Sequence, residues 1–494
     1  MKPITENHIE YLSIEILQSL GWDYVNGVEI APTAEHSERE SYEQILLLNR
    51  LRRAVEKINP DIPEEYREEA IKKLDRINTP NLIENNKTFH TYLTEKVKVS
   101  YQEDGFDRSY EVALIDFDNP DNNEYLAVNQ YIITEKNQNI RTDVLLFING
   151  IPLVLIELKN ALDENATIEK AYKKLQSYKA ITPSLFTFNE ICVISDGHEA
   201  KAGSLSADQS RFMSWKSIDG DKEASRFIPQ IETLIKGMFN KTTLLDLIKN
   251  FVLFEEIKKT DPRTGLAEVE TIKILTAYHQ YYAVNKAVNS TIDASKEGGN
   301  RKGGVIWHTQ GSGKSLSMVF YAGKLITSEE MHNPTILVIT DRNDLDQQLF
   351  DTFASSKQLL RQEPVQAENM KHVKELLRVA SGGIVFSTIQ KFAPDEEKSV
   401  YEELSDRRNI VVIVDEAHRS QYGFEARFKE IKEEGTNETV GTKVTYGLAK
   451  YLRDALPNAT YIGFTGTPIE LKDKNTKNVF GDYVDRYDIS QAVE

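Results

Sequence analysis

Two carboxylates and one ammonium group lie at the open end of an apolar hairpin in the first half of the chain. Asp143 lies near the start of the predicted strand 141–148, and Glu157 and Lys159 lie at the end of the strand 151–159 that returns after the Asn-Gly turn. Burying a charged group beside apolar strands costs free energy, so such groups are expected to have a partner or a function. Asp143 and Glu157 could hold Mg²⁺, and Lys159 could orient or activate a water that attacks a phosphodiester. A structural ion pair that closes the hairpin is the simpler alternative.

A second stretch with chemical potential is the Gly-Ser-Gly-Lys-Ser run at residues 311–315, between an apolar strand and a predicted helix. Glycines let backbone N–H groups turn towards phosphate oxygens, and the helix start adds the positive end of its dipole. Lys314 can reach the β- and γ-phosphates of a nucleotide, and the Ser315 hydroxyl can ligate Mg²⁺. His308 stands where the consensus for such loops begins with glycine. The predicted nucleotide-binding residues of this loop are Gly311, Ser312, Gly313, Lys314 and Ser315.

Further polar residues follow apolar runs in the same half. An Asp-Glu-Ala-His run contains Asp415, which is placed to complete the Mg²⁺ site, and Glu416, which could orient or activate water for hydrolysis. His418 ends that run and is a predicted nucleotide contact. Upstream of the loop, the Gln280 amide could pair with an adenine edge. With the Thr-Gly-Thr-Pro run at 465–468, these residues predict an ATP site at the carboxyl ends of parallel strands.

The elements that must position these residues differ between the two halves. In the second half, apolar strands alternate with helical stretches, which is typical of a parallel α/β sheet. Its predicted strands cover 303–307, 335–340, 384–388, 410–414 and 460–464. We therefore predict an α/β fold class. The predicted domains are a mixed-sheet nuclease at 1–240, a helical linker at 241–265, a parallel-sheet motor lobe at 266–475 and the start of a further connection at 476–494.

Composition narrows the class of protein. The chain has 494 residues, 40% hydrophobic and 28% charged, with a formal net charge of −17. It contains no apolar run of about 18 residues and no secretory signal, and its one cysteine, Cys192, lies in an apolar run. We expect a cytoplasmic protein without a membrane segment or an internal disulfide. The negative net charge requires that any contact with DNA be confined to a local patch.

The motifs together carry a resemblance. The second half resembles the first RecA-like lobe of superfamily 2 DEAH-type helicases and translocases. Its combination with Asp143 and the Glu-Leu-Lys run at 157–159 resembles the restriction (R) subunit of type I restriction–modification enzymes, over essentially the whole chain. That resemblance implies a restriction-endonuclease-like PD-(D/E)xK nuclease fused to a translocase of double-stranded DNA. It implies ATP and Mg²⁺ as cofactors, and modification and specificity subunits as partners.

The chain departs from the family pattern next to the nuclease motif. Related nucleases carry Gln-x-x-x-Tyr on the following helix, whereas here Lys174 takes the glutamine position before Tyr178, with Gln176 nearby. The lysines of that helix either face solvent or contact the DNA backbone; they are Lys170, Lys173, Lys174 and Lys179. On the first helix, Glu10 or Glu15 could supply a further acidic group, as in some family members.

The chain stops at Glu494, shortly after the Thr-Gly-Thr-Pro run. The resemblance implies a second motor lobe with an arginine finger, and hydrolysis in this class is completed from that lobe. We therefore expect the 494-residue chain alone to be monomeric, to bind ATP–Mg²⁺ weakly and to hydrolyse it little or not at all. A different nuclease–helicase fusion, of DNA repair or phage defence, is the alternative function.

The hairpin motif also makes a geometric demand. In a plain hairpin with a two-residue loop, Asp143 would pair with Ile156 and would point away from Glu157, because side chains alternate between faces. The two carboxylates can share a face only if the register shifts by one residue. A three-residue loop with Gly150 in a left-handed conformation, or a bulge elsewhere in either strand, would supply that shift.

Overall fold

The computed structural model describes residues 6–159, 167–260, 265, 267–340, 343–392, 403–417, 427–432, 439–445, 448–467 and 474–488. The chain divides into two compact units, Met1–Tyr278 and His279–Glu494. Within the described ranges, every helix is too short or too polar to cross a lipid bilayer.

The first unit combines helices with a mixed sheet. Its helices are α1 (Glu6–Ser19), α2 (Leu48–Ile58), α3 (Glu64–Asp75), α4 (Leu82–Glu95), α5 (Ile168–Ile181), α6 (Pro183–Thr187), α7 (Gln230–Met238) and α8 (Lys241–Asn250). Its strands are β1 (Asp23–Asn26), β2 (Val97–Glu103), β3 (Phe106–Val112), β4 (Tyr125–Asn129), β5 (Ile132–Glu135), β6 (Gln138–Arg141), β7 (Val144–Ile148), β8 (Ile151–Leu158), β9 (Ile191–Ser195), β10 (Ala200–Gly203), β11 (Met213–Ser214), β12 (Val252–Thr260) and β13 (Ala267–Leu275).

The sheet that carries the hairpin runs in the order β1-β4-β7-β8-β9-β10-β11. β1 with β4 and β8 with β9 pair in parallel, while β4 with β7 and β7 with β8 pair antiparallel, so the predicted mixed sheet is confirmed. Every residue of β7, β8 and β9 is buried. These central strands are therefore a rigid support for charged groups at their ends.

The hairpin between β7 and β8 contains the required register shift. Ile148 pairs with Ile151 across a two-residue loop, in which Asn149 has φ 53° and Gly150 has φ 79°. Phe147 pairs with Pro152 but Leu146 pairs with Val154, so Leu153 is an extra residue, a bulge, in β8. The three-residue loop is therefore wrong, and the alternative, a bulge elsewhere in a strand, is confirmed. Beyond the bulge Val144 pairs with Ile156, and the next pair in this register is Asp143 with Glu157.

The segment predicted as a helical linker, 241–265, is helical only in its first part. α8 ends at Asn250, and β12 then pairs antiparallel with β13, from Val252 opposite Leu275 to Thr260 opposite Ala267. The linker prediction is therefore wrong from Val252 onwards. The hairpin belongs to the first unit, where the backbone N–H of Lys273 donates to the Ser206 hydroxyl, and the Ser204 hydroxyl donates to the carbonyl of Lys273.

The second unit begins within α9 (Tyr278–Ser295). Its further helices are α10 (Lys314–Thr327), α11 (Asn343–Ser355), α12 (Lys357–Leu360), α13 (Met370–Leu376), α14 (Leu448–Ala455) and α15 (Lys474–Phe480). Its strands are β14 (Lys302–His308), β15 (Thr335–Thr340), β16 (Pro364–Gln366), β17 (Ile384–Thr388), β18 (Ile410–Val414), β19 (Arg427–Lys432), β20 (Thr439–Thr445), β21 (Thr460–Thr465) and β22 (Tyr483–Tyr487).

The main sheet of this unit has the order β16-β17-β15-β18-β21-β14-β22, and all its neighbouring strands pair in parallel. The predicted parallel sheet is thus confirmed. Its central strands are fully buried because they are apolar on both faces, as expected where helices cover both sides of a sheet. Since all strands run the same way, the residues that follow β14, β18 and β21 lie at one edge.

Candidate active site and nucleotide-binding loop

Asp143 and Glu157 converge on a common cation. Lys174 on α5 places its Nζ 2.6 Å from Glu157 Oε1 and 3.5 Å from Asp143 Oδ1. The other carboxylate oxygen of Asp143 accepts a hydrogen bond of 2.7 Å from the backbone N–H of Leu158. Lys159 pairs with Glu157 as well, through the same Oε1 atom, and also donates to the carbonyl of Leu158. The structure thus brings together the three residues predicted for this site and adds Lys174.

The site stabilises positive charge. Glu157 is fully buried, and no described residue donates a hydrogen bond to its Oε2 atom. Burial, followed by the nearby Asp143 carboxylate, raises the pKa of Glu157 to about 8, against the opposing effects of Lys174 and Lys159. Burial also works against the charge of Lys174, but Glu157 and Asp143 outweigh it and raise the pKa of Lys174 above its usual value. Both shifts favour the proton-bound form, so added positive charge is favourable here.

A divalent cation fits this environment. An orphaned, buried carboxylate oxygen on Glu157 beside the Asp143 carboxylate offers the oxygen ligands that Mg²⁺ prefers. In the described part of the chain, no group of three or more His, Cys, Asp or Glu side chains has the spacing of a metal site. Two carboxylates are nevertheless a common protein contribution to Mg²⁺, which usually keeps several waters.

The acidic residues of the first helix take different positions. Glu10 is buried in α1 and accepts hydrogen bonds from Asn129 Nδ2 at 2.6 Å and Gln130 Nε2 at 2.7 Å. The backbone N–H of Gln130 donates to the carbonyl of Asp143, so Glu10 reaches the site through this intermediate residue. Glu15 is exposed. A direct role for either carboxylate in metal binding stays a prediction.

The contact of Lys174 with the two carboxylates was not predicted from the sequence, where Lys174 was noted at the glutamine position before Tyr178 and as one of four lysines that face solvent or DNA. The available signal was its spacing: Lys174 precedes Tyr178 by one helical turn and so shares its face. Tyr178 donates from its hydroxyl to the carbonyl of Arg141 at 2.5 Å and presents its ring 5.3 Å from Lys174 Nζ. Gln176 is half-buried on the same helix.

The phosphate loop in the second unit has the backbone that its glycines predict. Gly311 has φ 86° and Gly313 has φ 82°, and α10 begins directly afterwards at Lys314, with Ser315 in its first turn. A Cβ at Gly311 would meet nothing within 4 Å, so the backbone there is open to a ligand. Lys314 Nζ points towards the run that follows β21, because a Cβ at Gly466 would come within 2.9 Å of it.

Two side chains of α9 hold this loop. Gln280 Nε2 donates to the carbonyl of Gly313 at 3.0 Å, and His279 Nε2 lies 3.1 Å from the carbonyl of Ser312. Gln280 is therefore next to the loop, as expected for a nucleotide site, although this hydrogen bond is made to the backbone. Adenine recognition by Gln280 stays a prediction. His308 is fully buried, with Nε2 3.0 Å from Asp485 Oδ2 on β22.

The Asp-Glu-Ala-His run follows β18 as predicted. Asp415 accepts a hydrogen bond from the backbone N–H of Glu416 at 2.9 Å, and Glu416 has φ 50°, a left-handed conformation unusual for glutamate. Ala417 then packs against β21, where a Cβ at Gly463 would lie 2.7 Å from the Ala417 Cβ. His418 lies outside the described residues. An open glycine turn, a helix N-terminus and an aspartate at the end of β18, which β21 separates from β14, fit ATP with Mg²⁺.

Two family models match the chain. Residues 3–211 match the Type I restriction enzyme R protein N terminus, and residues 279–494 match the SWI2/SNF2 ATPase. The first match contains the Asp143 site, and the second contains the phosphate loop. The chain therefore joins a restriction-type N-terminal domain to an ATPase lobe of the SWI2/SNF2 class.

Individual relatives extend across both domains. The chain is 45% identical to the type I restriction enzyme HindI endonuclease subunit of Haemophilus influenzae, over 99% of this chain and 45% of that protein. It is 26% identical to the type I restriction enzyme SauMSSORF170P endonuclease subunit of Staphylococcus aureus, over 75% of this chain and 35% of that protein. The chain belongs to the family of type I restriction enzyme endonuclease (R) subunits, and spans less than half the length of these relatives.

Solved structures match more weakly. The ATP-dependent Type ISP restriction-modification enzyme LlaBIII bound to DNA shares 14% identity with this chain at a TM-score of 0.31, covering 47% of this chain and 16% of that one. This similarity is too weak to indicate a function.

Proposed function

We propose that this chain supplies the DNA-cleaving and ATP-driven parts of a type I restriction enzyme. The observation that carries the proposal is the convergence of Asp143 and Glu157, through the bulge at Leu153, beside Lys159. A structural ion pair alone would not need two buried carboxylates of the same charge, whose proximity is unfavourable without a cation.

In the proposed nuclease reaction, Asp143 and Glu157 would hold Mg²⁺ through their carboxylate oxygens. When bound, Mg²⁺ would stabilise charge on the phosphate and lower the pKa of a water. Lys159 lies on the same strand end as Glu157 and orients the water that attacks the phosphodiester. The buried sheet beneath these side chains keeps them in place while DNA binds.

In the proposed motor, the loop N–H groups and Lys314 bind the phosphates of ATP, and Ser315 and Asp415 would hold the Mg²⁺ that accompanies the nucleotide. Glu416 orients the hydrolytic water, and Gln280 and His418 contact the nucleotide. ATP hydrolysis then moves double-stranded DNA past the complex. The proposed partners are modification and specificity subunits, the latter carrying recognition of the DNA site.

The test separates the two chemistries in the full-length subunit assembled with its partners. Asp143→Ala, Glu157→Ala and Lys159→Ala should each abolish DNA cleavage and leave ATP hydrolysis near the wild-type rate. Glu169→Ala is the matched control, because Glu169 is an exposed carboxylate that pairs with Lys173 on α5. Cleavage at the wild-type rate by Lys159→Ala would show that the nuclease assignment is wrong.

A further inference from the structure

We propose that the Lys174 ammonium group occupies the place that a divalent cation takes between Asp143 and Glu157, and that metal binding displaces it. The inference rests on the proposed nuclease function and adds a competitor for its metal. The family resemblance implies an uncharged glutamine at this position, whereas this chain has Lys174.

The contacts of Lys174 resemble those of a bound cation. Its Nζ bridges both carboxylates, 2.6 Å from Glu157 Oε1 and 3.5 Å from Asp143 Oδ1. A metal that binds these two side chains must also lie against an oxygen of each, at about 2.0–2.6 Å. Even a metal that took the unpartnered Oε2 atom of Glu157 would share both carboxylates with the Lys174 ammonium group, so the two positive charges would repel at close range.

The Lys174 ammonium group can leave its position between the two carboxylates. Glu157 is fully buried, but 32% of the Lys174 side chain is exposed, so the ammonium group can turn towards solvent without moving the helix. Its stem is flexible and strongly hydrated at the head. The Tyr178 ring already lies 5.3 Å from Nζ on the same helix, so the ammonium group can keep this favourable contact while it turns away from the carboxylates. A displaced Lys174 also remains near enough to the site to pair with an anionic substrate.

The balance of charge gives Lys174 two opposing effects on this site. Without metal, two carboxylates face two ammonium groups, Lys159 and Lys174, and the buried Glu157 is neutralised. Removing one ammonium group leaves a buried carboxylate pair with too little positive charge, which is destabilising. Lys174 therefore stabilises the metal-free site and weakens its affinity for metal through the same contacts.

The experiment titrates Mn²⁺ into the 494-residue chain without DNA, following binding by calorimetry and the thermal unfolding midpoint with and without metal. The variants are Lys174→Gln, Lys174→Met and Lys174→Arg. Asp143→Asn identifies the fraction of binding that belongs to this site. Lys173→Gln is the matched control, since Lys173 is a neighbouring lysine of α5 that pairs with the exposed Glu169.

We expect Lys174→Gln and Lys174→Met to bind Mn²⁺ roughly tenfold more tightly than wild type, which is a typical change in affinity for two coupled binding equilibria. Their metal-free unfolding midpoints should fall, while Lys174→Arg and Lys173→Gln should gain no affinity. If Lys174→Gln binds Mn²⁺ equally or less tightly, the inference is wrong and the nuclease proposal stands. If no variant and no wild-type protein shows binding that depends on Asp143, the inference and the proposed metal site both fail.

Discussion

Asp143 lies across the hairpin from Glu157 because β8 carries one residue more than its partner strand. Ile148 opposite Ile151 starts the hairpin in the register of a plain two-residue loop, and Val144 opposite Ile156 ends it one residue later. The extra residue, Leu153, is fully buried. A single bulge inside an apolar core thus decides whether two charged side chains at the strand end share a face.

The hairpin turn is expected to be sensitive to a side chain at Gly150. Gly150 has φ 79°, and a Cβ there would come within 2.5 Å of the carbonyl of Leu47. Gly105, in the turn between β2 and β3, has the same φ of 79° with nothing within 4 Å of a Cβ. Gly105→Ala should lower the free energy of unfolding by about 1 kcal/mol through its positive φ alone. Gly150→Ala should lower it by about 3 kcal/mol, because the hairpin turn must also move away from Leu47. Equal thermal unfolding midpoints for the two variants would contradict this account.

A buried lysine in the first unit should be a major source of stability. Lys273 on β13 is fully buried, and its Nζ donates to Glu190 Oε2 at 2.7 Å, Asn86 Oδ1 at 3.0 Å and the carbonyl of Asn189 at 3.0 Å. Because Lys273→Met leaves Glu190 buried without its cation, we expect a loss of about 3–5 kcal/mol in the free energy of unfolding.

The matched control for that substitution is a lysine that forms an ion pair at the surface. Lys87 lies 3.9 Å from Glu256, and both side chains are partly exposed, so Lys87→Met should cost less than about 1 kcal/mol. Chemical unfolding of the two variants measures the difference. A similar small loss for both would mean that the Lys273 network contributes little.

The same network predicts how acid affects stability. Burial alone would raise the pKa of Glu190, but Lys273 and then His90, 3.0 Å away, hold it below its usual value. A carboxyl group with a depressed pKa in the folded state stabilises the protein above its unfolded pKa of about 4.3, and this contribution is lost as the pH falls through the lower folded value.

Unfolding measured between neutral pH and pH 3 or so tests this sign. The stability gap between wild type and Glu190→Gln should be large near neutral pH and should narrow below a pH of about 4. Glu169→Gln is the control, because Glu169 pairs with Lys173 at the surface and should show a small gap throughout. A gap for Glu190→Gln that widens on acidification would overturn the assignment.

The phosphate loop supports a prediction for the 494-residue chain itself. Lys314→Ala removes the ammonium group at the start of α10 and should weaken binding of a fluorescent ATP analogue by roughly tenfold or more, as expected for a charge-assisted contact. Lys324→Ala is the control: Lys324 lies in the last turn of the same helix and donates to Asn285. Equal affinity in Lys314→Ala and wild type would exclude this loop as the nucleotide site.

Several features were accessible from sequence because they depend on near neighbours. The strands at 335–340, 384–388 and 410–414 have the predicted bounds, since each is a short apolar run between polar stretches. The left-handed backbone at Gly311 and Gly313 follows from glycine itself, and the helix at Lys314 from the periodic residues after it. The need for a register shift at the hairpin also came from counting residues between Asp143 and Glu157.

Other features were decided by residues far apart in the chain. Neither the place of the bulge at Leu153 nor the hairpin that replaced the expected linker helix beyond Val252 has a local signal. The hairpin beyond Val252 is stabilised by a distant residue, because Lys273 on its second strand pairs with the buried Glu190.

The amino-acid sequence by itself determined the sheet class, the phosphate loop and the residues offered for metal binding, because strand length, glycine geometry and residue type act over a few positions. Only the tertiary structure decided that Lys174 contacts both Asp143 and Glu157, since α5 must pack on the sheet before this side chain can reach either carboxylate. Four lysines on one helix are equivalent in composition; the face that meets the buried strand end makes one of them part of the site.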